Sequence, residues 1–413
     1  MTIGVSGFVG NRLTEARLAR GWLTQKALAE YLSNVTAATI SGYEKETISP
    51  RAEMVADLAD ALKVKESYFF TPLPNESFPI FWRSTHTTTK DKRAIAQAKF
   101  SWTKLIDSYL KNYLEMPALN LPPREQLGVP DDIESLDDWQ IEVIALQLRE
   151  FWGLGFTPIP NMTMLLENNG ILLSYGELDS KKLDAFSNKS EYDHSYHIFL
   201  GIDKGEALRS RMDAAHELGH LVLHSHLSEK EFLGKKHSLF ERQAFRFGSS
   251  FLMPASSFKN DVWMTSIEAL KSLRKRWLVS VGAMIYRCED LGLYGDRGAA
   301  RLWPIYRRNW RSIEDATFEF EQPQLQKRSV QMLIDEGIRS KAQILHDLPF
   351  YQPDIERMLN LSAGYFNENT AELKQFPKVR DDHRQRGLDL DIENEMEEIN
   401  NNLIRYDFRK EGG

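Results

Sequence analysis

The sequence contains very little cysteine and no long apolar segment, and each shortage excludes a class of protein. Its 413 residues include a single cysteine, Cys288. An internal disulfide and a zinc site built from several thiolates are therefore excluded, so a metal site would need histidine and carboxylate ligands. No stretch approaches the run of about 18 apolar residues that a membrane span requires, and the N-terminus lacks the features of a secretory leader. We therefore expect a cytoplasmic protein that has no membrane partner.

An excess of positive charge is also missing. The chain has 52 lysines and arginines against 59 aspartates and glutamates, which gives a formal net charge of −7. This balance argues against a protein that coats nucleic acid, but it permits one small DNA-reading module within a larger chain. With 42% hydrophobic residues, a chain of this length is expected to form two or three compact domains.

The spacing of apolar residues divides the chain into four regions. Short helical patterns separated by turn signals fill residues 8–70, and a helical pattern rich in lysine covers residues 90–114. After a proline-rich break, long helical patterns alternate with short strand-like runs such as 171–173 and 196–200. We predict a multidomain, mainly α protein. It comprises an all-α N-terminal domain at 1–72, a basic helical connector at 73–130, an α+β domain at 131–300 and a mostly helical C-terminal region at 301–413.

A metal-binding motif lies in the α+β region, at His216-Glu217-Leu218-Gly219-His220. Two histidines four residues apart lie on one face of a helix, so both imidazoles can bind one ion. Glu217 projects beside that ion, where it can take the proton of a zinc-bound water whose pKa the ion has lowered to about 7. We therefore predict a zinc site with Glu217 as the catalytic base. Glycine costs roughly 1 kcal/mol relative to alanine inside a helix, so Gly219 indicates a close approach of another segment.

A catalytic zinc site needs a third protein ligand, and we predict that Glu241 supplies it. Glu241 opens a segment with helical spacing that Pro254 would end. His224 lies one turn beyond His220, and one helix cannot easily supply three ligands to one ion, so we expect His224 to pack behind the site. His226 and His237, in the segment between the two helices, are further candidates for the third ligand. The candidates for a donor to the oxyanion of the transition state are Tyr196, His197 and His237.

The motif and the segment 241–254 resemble the ImmA/IrrE family of metallopeptidases, and specifically its members fused to an Xre-type helix-turn-helix domain. Segments 80–84, 184–187, 276–280 and 283–287 share the resemblance. It implies a zincin-like domain in which His216, His220 and Glu241 bind zinc and Glu217 is the base. It also implies an endopeptidase that cleaves a repressor or partner protein in a stress, mobile-element or phage-response circuit. Phe245 departs from the family, since many members have asparagine there.

Segments 24–29 and 35–44 resemble the Cro/cI-type helix-turn-helix. In that fold the second helix enters the major groove of double-stranded operator DNA. The usual base-reading positions fall on Ala37, Ala38 and Gly42, which cannot hydrogen-bond to a base edge. Recognition would then depend on few hydrogen bonds and on DNA shape. The predicted DNA contacts are Gln25, Asn34, Thr36, Ala37, Ala38, Thr39, Ser41 and Lys45.

The charge of this first domain bears on how it would bind. Residues 1–70 contain eight basic and eight acidic residues, so a monomer should bind DNA weakly, and we favour a homodimer that reads two half-sites. A protein-docking domain is the competing interpretation, and the basic 90–111 helix could equally be a solvated surface. The leading hypothesis is a DNA-binding regulator fused to a zinc-dependent endopeptidase. The second hypothesis is a non-proteolytic Xre-type regulator or antitoxin whose metal domain senses a ligand or partner.

Overall fold

The computed structural model describes residues 4–72, 80–84, 90–177, 183–189, 195–202, 206–232, 234–294, 298–309 and 318–367. The part of the predicted C-terminal region that follows residue 367 lies outside these ranges. Residues up to Phe366 belong to one compact unit. Among the described helices, none has the length and apolar character that a membrane crossing needs.

Short helices build the N-terminal domain, as the sequence predicted. Two of them begin at threonines that cap the helix: Thr24 Oγ1 accepts a hydrogen bond from the Ala27 amide, and Thr36 Oγ1 accepts one from the Thr39 amide, both at 3.2 Å. Each cap satisfies an amide that has no partner inside its helix. The helices are α1 (Gly10–Ala19), α2 (Gln25–Leu32), α3 (Ala37–Glu44) and α4 (Ala52–Leu62), and the long basic helix that follows is α5 (Lys90–Lys111).

A four-stranded sheet forms the centre of the second region. Its strands β1 (Ile80–Ser84), β2 (Ile171–Gly176), β3 (Leu183–Lys189) and β4 (Tyr196–Gly201) lie in the order β1-β3-β4-β2. Strand β3 pairs antiparallel with β1 and β4, whereas β2 runs parallel to β4. The paired residues Ser187 and Ile198 share one face, and the paired residues Phe186 and Phe199 share the other.

The helices of this region confirm the predicted mixed α+β character. They are α6 (Asp138–Phe151), α7 (Met162–Asn168), α8 (Ala207–Leu223), α9 (Glu229–Phe232), α10 (His237–Leu252), α11 (Ala255–Asp261), α12 (Ile267–Trp277), α13 (Val281–Asp290) and α14 (Gly298–Asn309). Helix α8 contacts β3 and β4, and Ile198 shares its apolar core with buried α8 residues such as Leu218. On the other face, Phe186 and Phe199 pack with Ala96 and Phe100 of α5. The sheet thus lies between α8 and α5.

The C-terminal helices return to the N-terminal domain. They are α15 (Leu325–Asp335), α16 (Lys341–Asp347) and α17 (Gln352–Met358). Their buried side chains, such as Val330 and Ile355, share one apolar core with α1 to α4 and with Trp102 of α5. The Lys65 amide donates to the Pro349 carbonyl at 3.0 Å. The N-terminal domain therefore shares its core with α5 and with residues almost 300 positions later in the chain.

Candidate metal centre

Helices α8 and α10 touch at two glycines. A Cβ on Gly219 would lie 2.9 Å from the Ala244 carbonyl oxygen, and a Cβ on Gly248 would lie 3.0 Å from the His216 amide nitrogen. Both distances are shorter than ordinary van der Waals contact and the obstructing atoms are backbone atoms, which confirms the close approach predicted at Gly219. Because the backbones meet, Glu241 on α10 comes to lie opposite the histidines of α8.

The structure brings the three predicted ligands together. His216 Nε2 lies 3.5 Å from one Glu241 carboxylate oxygen, and His220 Nε2 lies 3.3 Å from the other. One ligand atom from each residue lies within 4.8 Å of the others. Ligands bound tetrahedrally to zinc at about 2.1 Å are about 3.4 Å apart, so both the spacing and the donor types fit a zinc ion. These side chains could hold a metal with little rearrangement.

Hydrogen bonds behind the site orient the His220 ring. His220 Nδ1 lies 2.9 Å from His224 Nδ1, and His224 Nε2 lies 3.1 Å from the side-chain oxygen of Gln243. Gln243 in turn donates to the Ile133 carbonyl at 2.8 Å. Burial, together with the neighbouring His220, lowers the pKa of His224 well below its usual value, so His224 is neutral. His224 therefore packs behind His220, as predicted, and leaves Nε2 of His220 facing Glu241.

The charge of Glu241 suits a metal ligand. Burial raises the pKa of its carboxyl group, but the hydrogen bonds and charges of His216 and His220 outweigh burial and hold this pKa well below its usual range. Glu241 is therefore an anion. Its helix begins at His237 and ends at Leu252, so the predicted start at Glu241 is wrong by one turn. The reason is that buried Phe240 extends the apolar face of the helix toward its N-terminus.

Glu217 is completely buried beside the ligands, and the sheet holds its carboxylate in place. Ser187 on β3 donates a hydrogen bond of 2.7 Å to Glu217 Oε2, and both residues are 0% exposed. Ser187 was not among the site residues predicted from the sequence. Its segment carried part of the family resemblance, but the contact exists only because β3 packs against α8.

The three oxyanion candidates lie in different places. His197 lies beside Phe100 of α5, with ring centroids 5.8 Å apart, and is therefore on the sheet face opposite α8. The alternation of side chains along β4 determines that face. Tyr196 lines a separate cavity with Leu221 and His226. His237 Nε2 lies 3.9 Å from a carboxylate oxygen of Glu241, so His237 lies next to a predicted ligand.

Phe245 of α10 packs against the neighbouring helix α13. Phe245, which departs from the family pattern, is half-buried and packs against Tyr286 with ring centroids 5.5 Å apart. The two rings lie nearly edge to face, at 73°, an arrangement that aromatic pairs favour. Phe245 thus has a packing role between α10 and α13.

The predicted DNA contacts are spread along α2, α3 and the turn between them. Gln25 donates to a Glu44 carboxylate oxygen at 2.8 Å, and Asn34 donates to Asp57 at 3.0 Å. These two amides therefore already bind carboxylates within the domain. Among the predicted contacts, Asn34, Thr36, Ala38 and Lys45 are exposed, whereas Gln25, Ala37, Thr39 and Ser41 are half-buried.

Gly42, at one base-reading position, packs against Ile48. A Cβ on Gly42 would lie 2.8 Å from Ile48 Cγ1, so a larger residue there would displace the exposed Ile48 side chain. Ala38 and Lys45 remain exposed at the two ends of the same helix. The surface of α3 therefore offers one methyl group and one ammonium group at these places, and few hydrogen-bond donors to base edges.

Comparison with known families agrees with this geometry. Residues 13–69 match the family model described as helix-turn-helix, and residues 166–289 match the one described as IrrE N-terminal-like domain. The second range includes Ser187, Glu217 and the three predicted ligands. No match to the chain was found among curated proteins. The chain therefore combines an Xre-type helix-turn-helix domain with a peptidase-like domain of the IrrE/ImmA family.

Proposed function

We propose that this chain is a DNA-binding regulator whose IrrE-like domain is a zinc-dependent endopeptidase acting on a repressor or another partner protein. The observation that carries the proposal is the joint placement of His216, His220 and Glu241 beside a buried carboxylate, Glu217, that Ser187 orients. A site that only bound zinc for stability would need the ligands alone. It would have no use for an additional buried base.

The roles of the residues follow from their positions. His216, His220 and Glu241 would hold the zinc ion, whose positive charge would acidify a water molecule and polarise the scissile carbonyl. The Glu217 carboxylate takes the proton of the attacking water and passes it to the nitrogen of the leaving amine, so that no net proton is consumed. The Ser187 hydroxyl holds Oε2 of Glu217 during both transfers.

Two further roles concern water exclusion and the oxyanion. The carboxylate of Glu217 is fully buried, as is His220, so proton transfer is shielded from bulk solvent. Among the oxyanion candidates, His237 is the one that we propose for the donor role, because its ring lies next to Glu241.

In this proposal the N-terminal domain brings the protein to its operator DNA. The helix-turn-helix domain binds operator DNA through α3, with Lys45 near the phosphates and Ala38 able to contact a thymine methyl. Because charges within residues 1–70 balance, we propose a homodimer that gains affinity from two half-sites. DNA binding then concentrates the peptidase where its repressor substrate acts.

A comparison of wild type with Glu217→Gln tests the peptidase. The substitution keeps the shape of the side chain and removes its ability to accept a proton. Each protein is produced in host cells from which the native gene has been deleted, and new protein N-termini are mapped by mass spectrometry. We expect a small set of new N-termini with wild type and none with Glu217→Gln, while both proteins bind the same selected operator DNA.

Identical N-termini in the two strains, with regulation intact in both, would refute the peptidase. That outcome would favour a non-proteolytic regulator or antitoxin whose metal domain senses a ligand or partner. A zinc measurement on both purified proteins is the control, because equal zinc content shows that Glu217→Gln has left the site intact.

A further inference from the structure

A cavity of about 620 Å³ lies between the end of α1, helix α5, strands β2 and β4, and residues 320–361. Its lining includes Arg20 at the end of α1, Trp102 of α5, Phe199 of β4 and Met358 of α17. Phe199 lies on the α5 face of the sheet, whereas α8 packs on the opposite face. The cavity is therefore separate from the candidate metal centre, and the proposed function does not use it.

Part of the wall of this cavity is aromatic. Trp102 and Phe199 are buried, and half-buried Phe320 adds a third ring from the C-terminal region. Gly176 also lines the cavity, and a Cβ at this position would lie 2.6 Å from the tip of the Phe199 ring. Gly176 therefore packs directly against the tip of this ring. Aromatic walls of this kind favour a flat apolar ligand.

The lining carries more positive than negative charge. Asp354 forms an ion pair with Arg20 at 2.5 Å and a second ion pair with Arg357. Lys327 is half-buried and forms no hydrogen bond or ion pair with any residue that the structure describes. Its ammonium group is therefore available to an outside partner. The cationic lining residues are Arg20, Lys99, Lys327 and Arg357, and the acidic ones are Asp354 and Glu177.

We propose that this cavity binds a small organic anion with a flat apolar body, such as an aromatic carboxylate, sulfonate or phosphate ester. Its volume lies within the range of about 300–1,000 Å³ typical of small-molecule sites. The apolar body packs against Trp102 and Phe199, and Lys327 neutralises the anionic group. Such a ligand touches the N-terminal domain and the peptidase-like sheet at once.

Fluorescence titration of the full-length protein tests the proposal. The probe is 8-anilinonaphthalene-1-sulfonate, which has a flat apolar body and one negative charge. Its uncharged analogue N-phenyl-1-naphthylamine measures the contribution of the charge. We expect saturable binding of the sulfonate at one site per chain, and weaker binding of the analogue.

Two variants locate the site. Lys327→Gln should raise the dissociation constant of the sulfonate about fivefold, as expected for the loss of a half-buried charge, and leave that of the neutral probe unchanged. Met358→Trp should raise the dissociation constants of both probes, because the larger side chain takes up part of the cavity. The matched control is Lys259→Gln, which removes an exposed lysine of α11 and should leave both dissociation constants unchanged.

Equal sulfonate affinity in wild type and Lys327→Gln overturns the proposal. So does the absence of saturable binding, or an unchanged affinity for both probes in a folded Met358→Trp variant. Thermal unfolding curves of all variants establish that they are folded. None of these measurements depends on zinc, on peptide cleavage or on DNA, so they succeed or fail independently of the proposed function.

Discussion

The contact between α8 and α10 at Gly219 leads to a prediction about zinc affinity. In a Gly219→Ala variant, the added Cβ would lie 2.9 Å from the Ala244 carbonyl oxygen and 3.1 Å from the Ala244 Cα. Ordinary contact begins near 3.4 Å. Both obstructing atoms are backbone atoms, so a side-chain rotation cannot relieve the clash. The helices must separate by about 0.5 Å, the difference between 3.4 and 2.9 Å.

This displacement acts on the ligands more than on the stability of the fold. Alanine should stabilise the helix by about 1 kcal/mol relative to glycine, while overpacking costs about 1–3 kcal/mol. The net loss of stability is therefore about 0–2 kcal/mol. Metal ligands must keep their distances to within about 0.2 Å, so moving Glu241 away from His216 and His220 should weaken zinc binding about 10- to 100-fold.

Competition with a chromogenic zinc chelator measures this effect, and differential scanning fluorimetry follows stability in parallel. The control is Gly282→Ala on α13, where the atoms nearest to the added Cβ belong to the end of the Tyr306 side chain, which can rotate away. We expect zinc affinity to fall for Gly219→Ala and not for Gly282→Ala. A zinc affinity of Gly219→Ala within twofold of wild type would show that the helix contact does not position Glu241.

Four further predictions follow from other contacts. Ser187→Ala should lower the cleavage rate about tenfold at unchanged zinc content, because Glu217 loses the hydrogen bond that orients it. Cleavage rate and zinc content are measured on the same protein samples. A cleavage rate equal to that of wild type would contradict this prediction. Burial raises the pKa of Glu142, but the hydrogen bond and charge of Arg287, 2.5 Å away, outweigh burial and hold this pKa below its usual value of 4.5. A carboxyl group whose pKa is lower in the folded than in the unfolded state stabilises the fold at pH values above its unfolded pKa. The stability that Glu142 contributes should therefore be lost as pH falls below about 4.5. Urea unfolding across pH should show a smaller loss of stability in a Glu142→Gln variant than in wild type. Arg287→Met should destabilise the fold by about 3 kcal/mol at pH 7, because buried Glu142 loses its shortest ion pair and keeps Arg246 at 3.7 Å and the Ser250 hydroxyl as partners. A loss under 1 kcal/mol in urea unfolding would contradict this. Lys45→Ala should weaken DNA binding at all sequences and reduce the number of counterions released on binding by about one. Fluorescence anisotropy at several salt concentrations measures both effects. Weaker binding confined to one operator sequence would instead show that Lys45 reads a base.

Local signals in the sequence predicted much of the fold. The spacing of apolar residues predicted short helices within residues 8–70, where α1 to α4 lie. The spacing of His216 and His220 determines that both imidazoles share a helix face, whatever the rest of the chain does. Gly219 indicated a close contact for the same reason, since glycine inside a helix needs an explanation from packing.

Contacts between distant segments could not be predicted in this way. The hydrogen bond between Ser187 and Glu217 depends on which face of the sheet α8 covers, and one residue of offset in β3 would reverse it. The same dependence led the sequence analysis to include His197, which lies on the opposite face. The packing of α15 to α17 into the N-terminal core likewise joins residues almost 300 positions apart, and apolar spacing within each helix gives no information about its partner.

Zinc content tests the metal centre most directly. Wild type, Glu217→Gln, His216→Ala and Glu241→Ala are purified after exposure to zinc, passed through a desalting column and analysed by inductively coupled plasma mass spectrometry. We expect about one zinc ion per chain in wild type and in Glu217→Gln, and little zinc in His216→Ala and Glu241→Ala. A wild-type protein without zinc, or a Glu241→Ala variant that retains it fully, would contradict the proposed centre.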